Sequence, residues 1–144
     1  METIEKHGWV GEGYQPLVLF GGWQVALLNW EPAMDPASLC EIERHKETGE
    51  VFVLVKGQAY LFAKREGREM AGAELEPGSV YNIPRGVWHN LLATPGTSLV
   101  IVEDRGTDRS DTEIRPLTSQ EAEAIQGALP DWLRPGLQGA SSSR

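Results

Sequence analysis

The sequence predicts an all-β fold, a double-sheet jelly-roll barrel with one short C-terminal helix. Three observations predict it. Short apolar runs rich in Val, Leu, Phe, Tyr and Trp recur along most of the chain, each bounded by turn residues. Sixteen glycines and nine prolines in 144 residues supply those turns. A helix-start signal appears only after the last strand-like run. About ten hairpin-connected strands followed by a helix suit two packed antiparallel sheets.

The elements follow in order. Residues 1–16 are mixed and Gly-rich and are expected on the surface. Leu17–Phe20 and Trp23–Trp30 read as strands around Gly21-Gly22. Glu31–Pro36, with two prolines, reads as a loop, and Ser38–His45 as a strand. Thr48-Gly49 allows a turn before the β-rich run Glu50–Val55, which ends at Lys56-Gly57. Gln58–Ala63 continues as a strand, Lys64–Arg68 is a hairpin tip, and Met70–Leu75 a weaker strand. Val80–Ile83, Val87–Ala93 and Leu99–Glu103 are strands separated by Pro84-Arg85-Gly86 and Thr94-Pro95-Gly96. Asp104–Pro116 is polar and aperiodic and is expected to cross the surface. Thr118-x-x-Glu121 is a capping box opening a helix over about 118–127, with Leu129–Leu133 expected to dock on the barrel. The unit reads as one domain over 1–135, and 136–144, small and polar, as a disordered tail.

Composition narrows the function classes. A net charge of −8 argues against nucleic-acid binding, which needs a basic face. The single cysteine, Cys40, cannot form an intrachain disulfide, and METIEKHGW shows no apolar leader pattern, so a cytoplasmic protein is expected. No apolar run approaches the ~20 residues that span a bilayer, so no membrane partner is expected. Neither a phosphate-binding glycine loop nor a Gly-x-Ser-x-Gly elbow is present.

Two clusters of potential metal ligands stand out. The first is Glu43-x-His45 followed by Glu50 and Gly57, in ERHKETGEVFVLVKG. The second is Gly78, Pro84, Gly86 and His89, in GSVYNIPRGVWH. Strand alternation puts Glu43 and His45 on one face, and imidazole nitrogen with carboxylate oxygen is a donor set for a first-row divalent ion. The same alternation turns Cys40 away from them, as a small packed residue, and turns Trp88 to the face opposite His89. His7 has no partner spacing and reads as a surface histidine.

These runs resemble the two motifs of the cupin superfamily, and the likeness is to its small single-domain members. His45, Glu50 and Gly57 fall where the first motif has its second His, its Glu and its closing Gly. Gly78, Pro84, Gly86 and His89 match the second motif without a gap. Three positions depart: Glu43 replaces a His, Ala37 replaces the leading Gly, and Ala93 stands where an Asn is expected, with Asn90 directly after His89 instead. The resemblance covers about residues 37–104.

It implies a double-stranded β-helix barrel, a divalent transition metal (Mn, Fe, Ni or Zn) and a homodimer. His45, Glu50 and His89 take three ligand positions. Glu43 is either the fourth ligand or a general base beside a two-His-one-carboxylate triad, and Glu43 or Glu50 could shuttle a proton. Trp23, Tyr60, Phe62 and Tyr81 are candidate pocket walls, and Arg85 a candidate contact for an anionic substrate. Both faces of Val51–Val55 are apolar, so the outer face needs cover from the N-terminal hairpin or another subunit. The expected function is a metal-dependent enzyme polarising an oxygen-bearing small molecule, by isomerase, lyase, hydrolase or dioxygenase chemistry. The alternative is a small-ligand binding or sensing barrel.

Overall fold

A computed structural model describes residues 2–106 and 111–134. Ten strands form two five-stranded sheets: β1 (Gly13–Phe20), β2 (Trp23–Asn29), β3 (Glu41–His45), β4 (Glu50–Lys56), β5 (Ala59–Lys64), β6 (Ala71–Glu74), β7 (Val80–Ile83), β8 (Trp88–Ala93), β9 (Ser98–Asp104) and β10 (Thr112–Pro116). The first sheet runs β1-β2-β9-β4-β7 and the second β10-β3-β8-β5-β6, every pairing antiparallel. This is the jelly-roll sandwich read from the sequence.

The residues between the sheets follow from alternation. Phe52 and Leu54 of β4, Leu99 and Ile101 of β9, and Leu61 and Leu91 of β5 and β8 are buried in one inter-sheet cluster. A second cluster lies on the outer face of the second sheet. There Ile42, Tyr60, Phe62, Trp88 and Leu92 pack against Ile125, Leu129 and Leu133. Those last three belong to helix α1 (Ser119–Ala128) and the turn after it, so the C-terminal segment docks as expected. The capping box is formed: the Glu121 amide donates to the Thr118 hydroxyl, and the Thr118 amide to the Glu121 carboxylate. Arg115 clamps the same carboxylate with two nitrogens at 2.7 and 2.9 Å. Burial opposes ionisation of Glu121, but the Arg115 bonds outweigh it and hold the carboxyl far below its usual range.

Three elements differ from expectation. β1 begins at Gly13 rather than Leu17. Residues 36–38 form a 3-10 turn, so β3 starts only at Glu41, and Cys40 is exposed rather than packed. Within the polar stretch after Asp104, β10 pairs with β3 from Thr112↔His45 to Pro116↔Glu41. This edge strand is held by its ladder to β3 rather than by an apolar pattern, and Pro116 sits at its end, where a missing N–H is tolerated. Residues 107–110 of that stretch, and the 136–144 tail, lie outside the described residues.

One motif glycine explains how the two ligand runs meet. Gly86 has φ +79°, a left-handed conformation that favours glycine. Its amide donates to the His45 carbonyl at 2.7 Å. The turn before His89 is thereby tied to the end of the strand that carries His45.

Candidate metal centre

Both sheets contribute to one cluster between them. From the second sheet come Glu43 and His45 on β3 and His89 on β8, with Glu43 and His89 directly opposite in the ladder. Glu50, the first residue of β4, reaches across from the first sheet. The Nε2 atoms of His45 and His89 each lie 3.0 Å from the same oxygen, Glu50 Oε1. Glu43 Oε1 stands farther back, 4.0 Å from His45 Nε2 and 3.8 Å from His89 Nε2. One donor atom from each of the four residues falls within 4.8 Å of the others. His45, Glu50 and His89 are buried, whereas the Glu43 side chain is 37% exposed.

The outer ring nitrogens test whether this cluster suits an ion. His89 Nδ1 is 2.9 Å from the Val87 carbonyl oxygen. A carbonyl only accepts, so Nδ1 carries the hydrogen. A neutral ring then points the Nε2 lone pair at a carboxylate oxygen. Two lone pairs at that distance repel, so the position calls for a cation, either a proton on Nε2 or a metal ion. The anchored ring is also the usual support of a metal-ligating imidazole. His45 Nδ1 is anchored likewise, 2.9 Å from the Thr112 hydroxyl. Two ligand atoms each ~2.1 Å from a shared ion stand roughly 3.0–3.4 Å apart at octahedral or tetrahedral angles. The two Nε2–Oε1 separations sit at the lower edge of that range, so the residues present fit a divalent ion.

The electrostatics follow from burial against pairing. Burial pushes the Glu50 carboxyl up, but hydrogen bonds from His45 and His89 outweigh it and hold it at about 2. For His45, burial opposes charging, and the Glu50 hydrogen bond and charge reverse this, so its pKa is raised. Glu43 lacks such a hydrogen bond. Burial raises its carboxyl against the opposing charge of His89, and the Glu50 charge adds to the rise.

A cavity of about 400 Å³ opens onto the cluster. Its walls include Tyr14, Leu28, Met34, Phe52, Leu91 and Ile114 beside the four candidate ligands. Glu103 on β9, paired with Glu50 in the ladder, also faces it. Tyr14 Oη donates to Glu103 and accepts from Gln24 Nε2 at 2.7 Å. Burial and the Glu50 charge push the Glu103 carboxyl up to about 7, against the Tyr14 bond. Glu31, Glu41, Glu43, Glu50 and Glu103 line the cavity, and no Lys or Arg does so among the described residues.

The expected pocket walls lie elsewhere. Ala63 is the partner of His89 and Leu61 of Leu91, so Ala59, Leu61 and Ala63 face inward. Tyr60 and Phe62 therefore point outward, buried under the C-terminal segment. Tyr81 packs at the edge of the inter-sheet core with its hydroxyl accepting from the Glu76 amide. Arg85 is exposed on its turn, and Trp23, opposite Phe20, lies on the outer face of the first sheet. None of the five lines the cavity. Trp88 does face away from His89, with the Arg44 and Arg115 guanidinium carbons 4.5 and 4.6 Å from its ring. His7 is exposed, beside Glu5.

The sequence reading missed Thr112 because its segment lacks periodicity. Glu103 was legible only by parity, since Leu99, Ile101 and Glu103 share the inward face of β9. Tyr14 carried no local signal. Asp111 also serves the site: its Oδ1 accepts from the Lys46 and Glu47 amides at 2.9 and 2.8 Å, fixing the turn between His45 and Glu50.

No protein-family model matches the chain. It is 38% identical over 89 residues to ureidoglycolate lyase 2 of Rhizobium meliloti (strain 1021), a match covering 57% of this chain and 54% of that protein. The chain thus spans about half the length of that relative. Among solved structures, a cupin-2 domain containing protein from Shewanella frigidimarina NCIMB 400 aligns with TM-score 0.50 at 22% identity, over 67% of this chain and 85% of the other. KdgF from Halomonas sp. aligns with TM-score 0.50 at 13% identity, over 68% and 87%. At such identities these likenesses speak to the fold.

Proposed function

From the premise that this chain is a cupin-fold protein with a His/Glu cluster in its barrel, we propose a metal-dependent small-molecule lyase. Its substrate class is a short hydroxycarboxylate bearing a ureido group. One observation carries the metal reading: two anchored imidazoles meet a single carboxylate oxygen, each at 3.0 Å. His45, His89 and Glu50 would hold a divalent first-row ion. The substrate class rests on the similarity to ureidoglycolate lyase 2 and agrees with the lining. Among the described residues the cavity carries five carboxylates and no Lys or Arg, which suits an N–H-rich group, and the ion would serve a substrate carboxylate there.

When bound, the ion supplies Lewis acidity toward the carboxylate and hydroxyl oxygens. The chain's own carboxylates move the protons. Glu43, set back from the imidazoles and partly exposed to the cavity, accepts the hydroxyl proton. The freed electron pair forms the new carbonyl as the carbon–nitrogen bond breaks. Glu103, near 7, holds a proton it can give to the departing nitrogen. The products are an oxo acid and urea, and no oxidant or co-substrate is consumed.

Elemental analysis of protein purified without chelator, beside a His45→Ala/His89→Ala control, tests the ion. About one equivalent of transition metal, lost in the control, is expected; no metal even after reconstitution sinks the reading. Urea release from ureidoglycolate tests the substrate. Glu43→Gln is expected to keep the metal and lose at least ~100-fold in rate, the scale of a general base.

A further inference from the structure

The inner face of the first sheet is apolar in two cross-strand rows and polar in a third. Ala26, Ile101 and Phe52 share one row, and Leu28, Leu99 and Leu54 the next. The third row is Gln24, Glu103 and Glu50, side by side on β2, β9 and β4. All three are buried, at 4%, 7% and 7% exposure. Glu50 enters the candidate metal cluster and Glu103 faces the cavity. Gln24 does neither, standing outside both the cluster and the cavity lining. Burying an amide costs free energy unless hydrogen bonds offset it, and an apolar side chain there would simply continue the neighbouring rows. What Gln24 does touch is Tyr14, which comes from β1 and lines the cavity.

Donor chemistry gives this contact a direction. An amide nitrogen only donates, so Tyr14 Oη accepts from Gln24 Nε2 at 2.7 Å. The Tyr14 hydrogen is then left for Glu103 Oε1, to which it donates. With Oε1 filled, a hydrogen carried by Glu103 belongs on Oε2. Without Gln24 the phenol could turn round and accept from Glu103, drawing that hydrogen away from the substrate. We propose that Gln24 and Tyr14 are positioning residues for Glu103: the buried amide orients the phenol, and the phenol occupies one carboxyl oxygen so that the other meets the substrate with its hydrogen. The proposal rests on the lyase reading above, in which Glu103 protonates the departing nitrogen.

Gln24→Met keeps the length and removes the donor. It should lower kcat for urea release roughly 10–100-fold and leave KM unchanged, because a misdirected group costs the transition state rather than ground-state binding. Bound metal, by elemental analysis, and melting temperature should both be retained, since Met continues the apolar rows. Should that variant fail to fold, Tyr14→Phe should show the same split between kcat and KM. Proton NMR of the metal-free protein gives a second readout, independent of activity. The Tyr14 hydroxyl hydrogen, identified by its loss in Tyr14→Phe, should be a protected downfield resonance that moves and exchanges faster in Gln24→Met. A lowered melting temperature with kcat intact overturns the proposal by making Gln24 structural only. Metal loss in Gln24→Met also overturns it, by putting the action of the row on Glu50, as does a Tyr14 resonance indifferent to the substitution. Wild-type protein that releases no urea sinks the lyase reading separately, and the resonance then decides whether Gln24 orients Tyr14.

Discussion

The two sheets treat their outer faces differently. The second sheet closes its own: Ile125, Leu129 and Leu133 cover Tyr60, Phe62, Trp88 and Leu92, and Arg115 joins β10 to the helix through Glu121. The first leaves a valine surface bare. On their inner sides the two sheets meet at the cluster, imidazoles from the covered sheet and the Glu50 carboxylate from the bare one. One half of the site is thus braced within the chain, while the other depends on the inter-sheet core and on whatever meets its back. The covered face should therefore set the stability of the single chain, and the bare face should matter only as far as it is occupied.

The sharpest break of that comparison is a pair of truncations. Ile125→Ala opens a cavity under the helix at a site 1% exposed and should cost about 2–5 kcal/mol, independent of protein concentration. Val53→Ala, on the half-exposed bare face, should cost under ~1 kcal/mol. Denaturant melts separate them. Equal losses would mean that the two faces are equally covered.

How far this could be read from residues alone differs between the sheets. Spacing made the cluster of candidate ligands legible: His45, Glu50 and His89 meet because their separations along the chain are those of strands joined by glycine turns. Alternation correctly paired Glu43 with His45 and turned Trp88 away. It could not say which face of β5 looks inward, because that depends on the register Ala63↔His89, set by a partner strand distant in sequence. Tyr60 and Phe62 were misplaced for that reason. β10 was illegible because pairing with β3, rather than apolar periodicity, makes it a strand.

That unread strand supports the next prediction. Thr112 anchors His45 from β10, at the edge of the covered sheet. Thr112→Val keeps the shape and removes the hydroxyl. Metal affinity, measured by chelator competition, should fall roughly 10–100-fold, the usual consequence of losing a group that orients a ligand. The melting temperature of the metal-free protein should move little. An unchanged affinity would show that the β3 ladder alone orients the ring.

The smallest effect concerns what links the sheets when no ion does. His45 has a raised pKa, so its contribution to the metal-free protein is complete below the ordinary imidazole value of 6.5 and is lost as pH rises through the folded value. Glu43 and Glu103 are raised too, and their contributions are likewise lost with rising pH, for Glu103 through about 7. Glu50 runs the other way: its contribution is present above 4.5 and is lost only as pH falls toward about 2. From pH 6 to 9, therefore, the metal-free protein should lose stability, by several degrees at roughly 2–4 °C per kcal/mol for a chain of this size. Metal-loaded protein should show the opposite slope, because protons and the ion compete for the same Nε2 atoms and binding tightens as protons leave. Thermal melts of both forms across that range check the signs. Parallel slopes would mean that the ion does not replace the proton between His45 and Glu50, and the bridge between the sheets would have to be sought outside that pair.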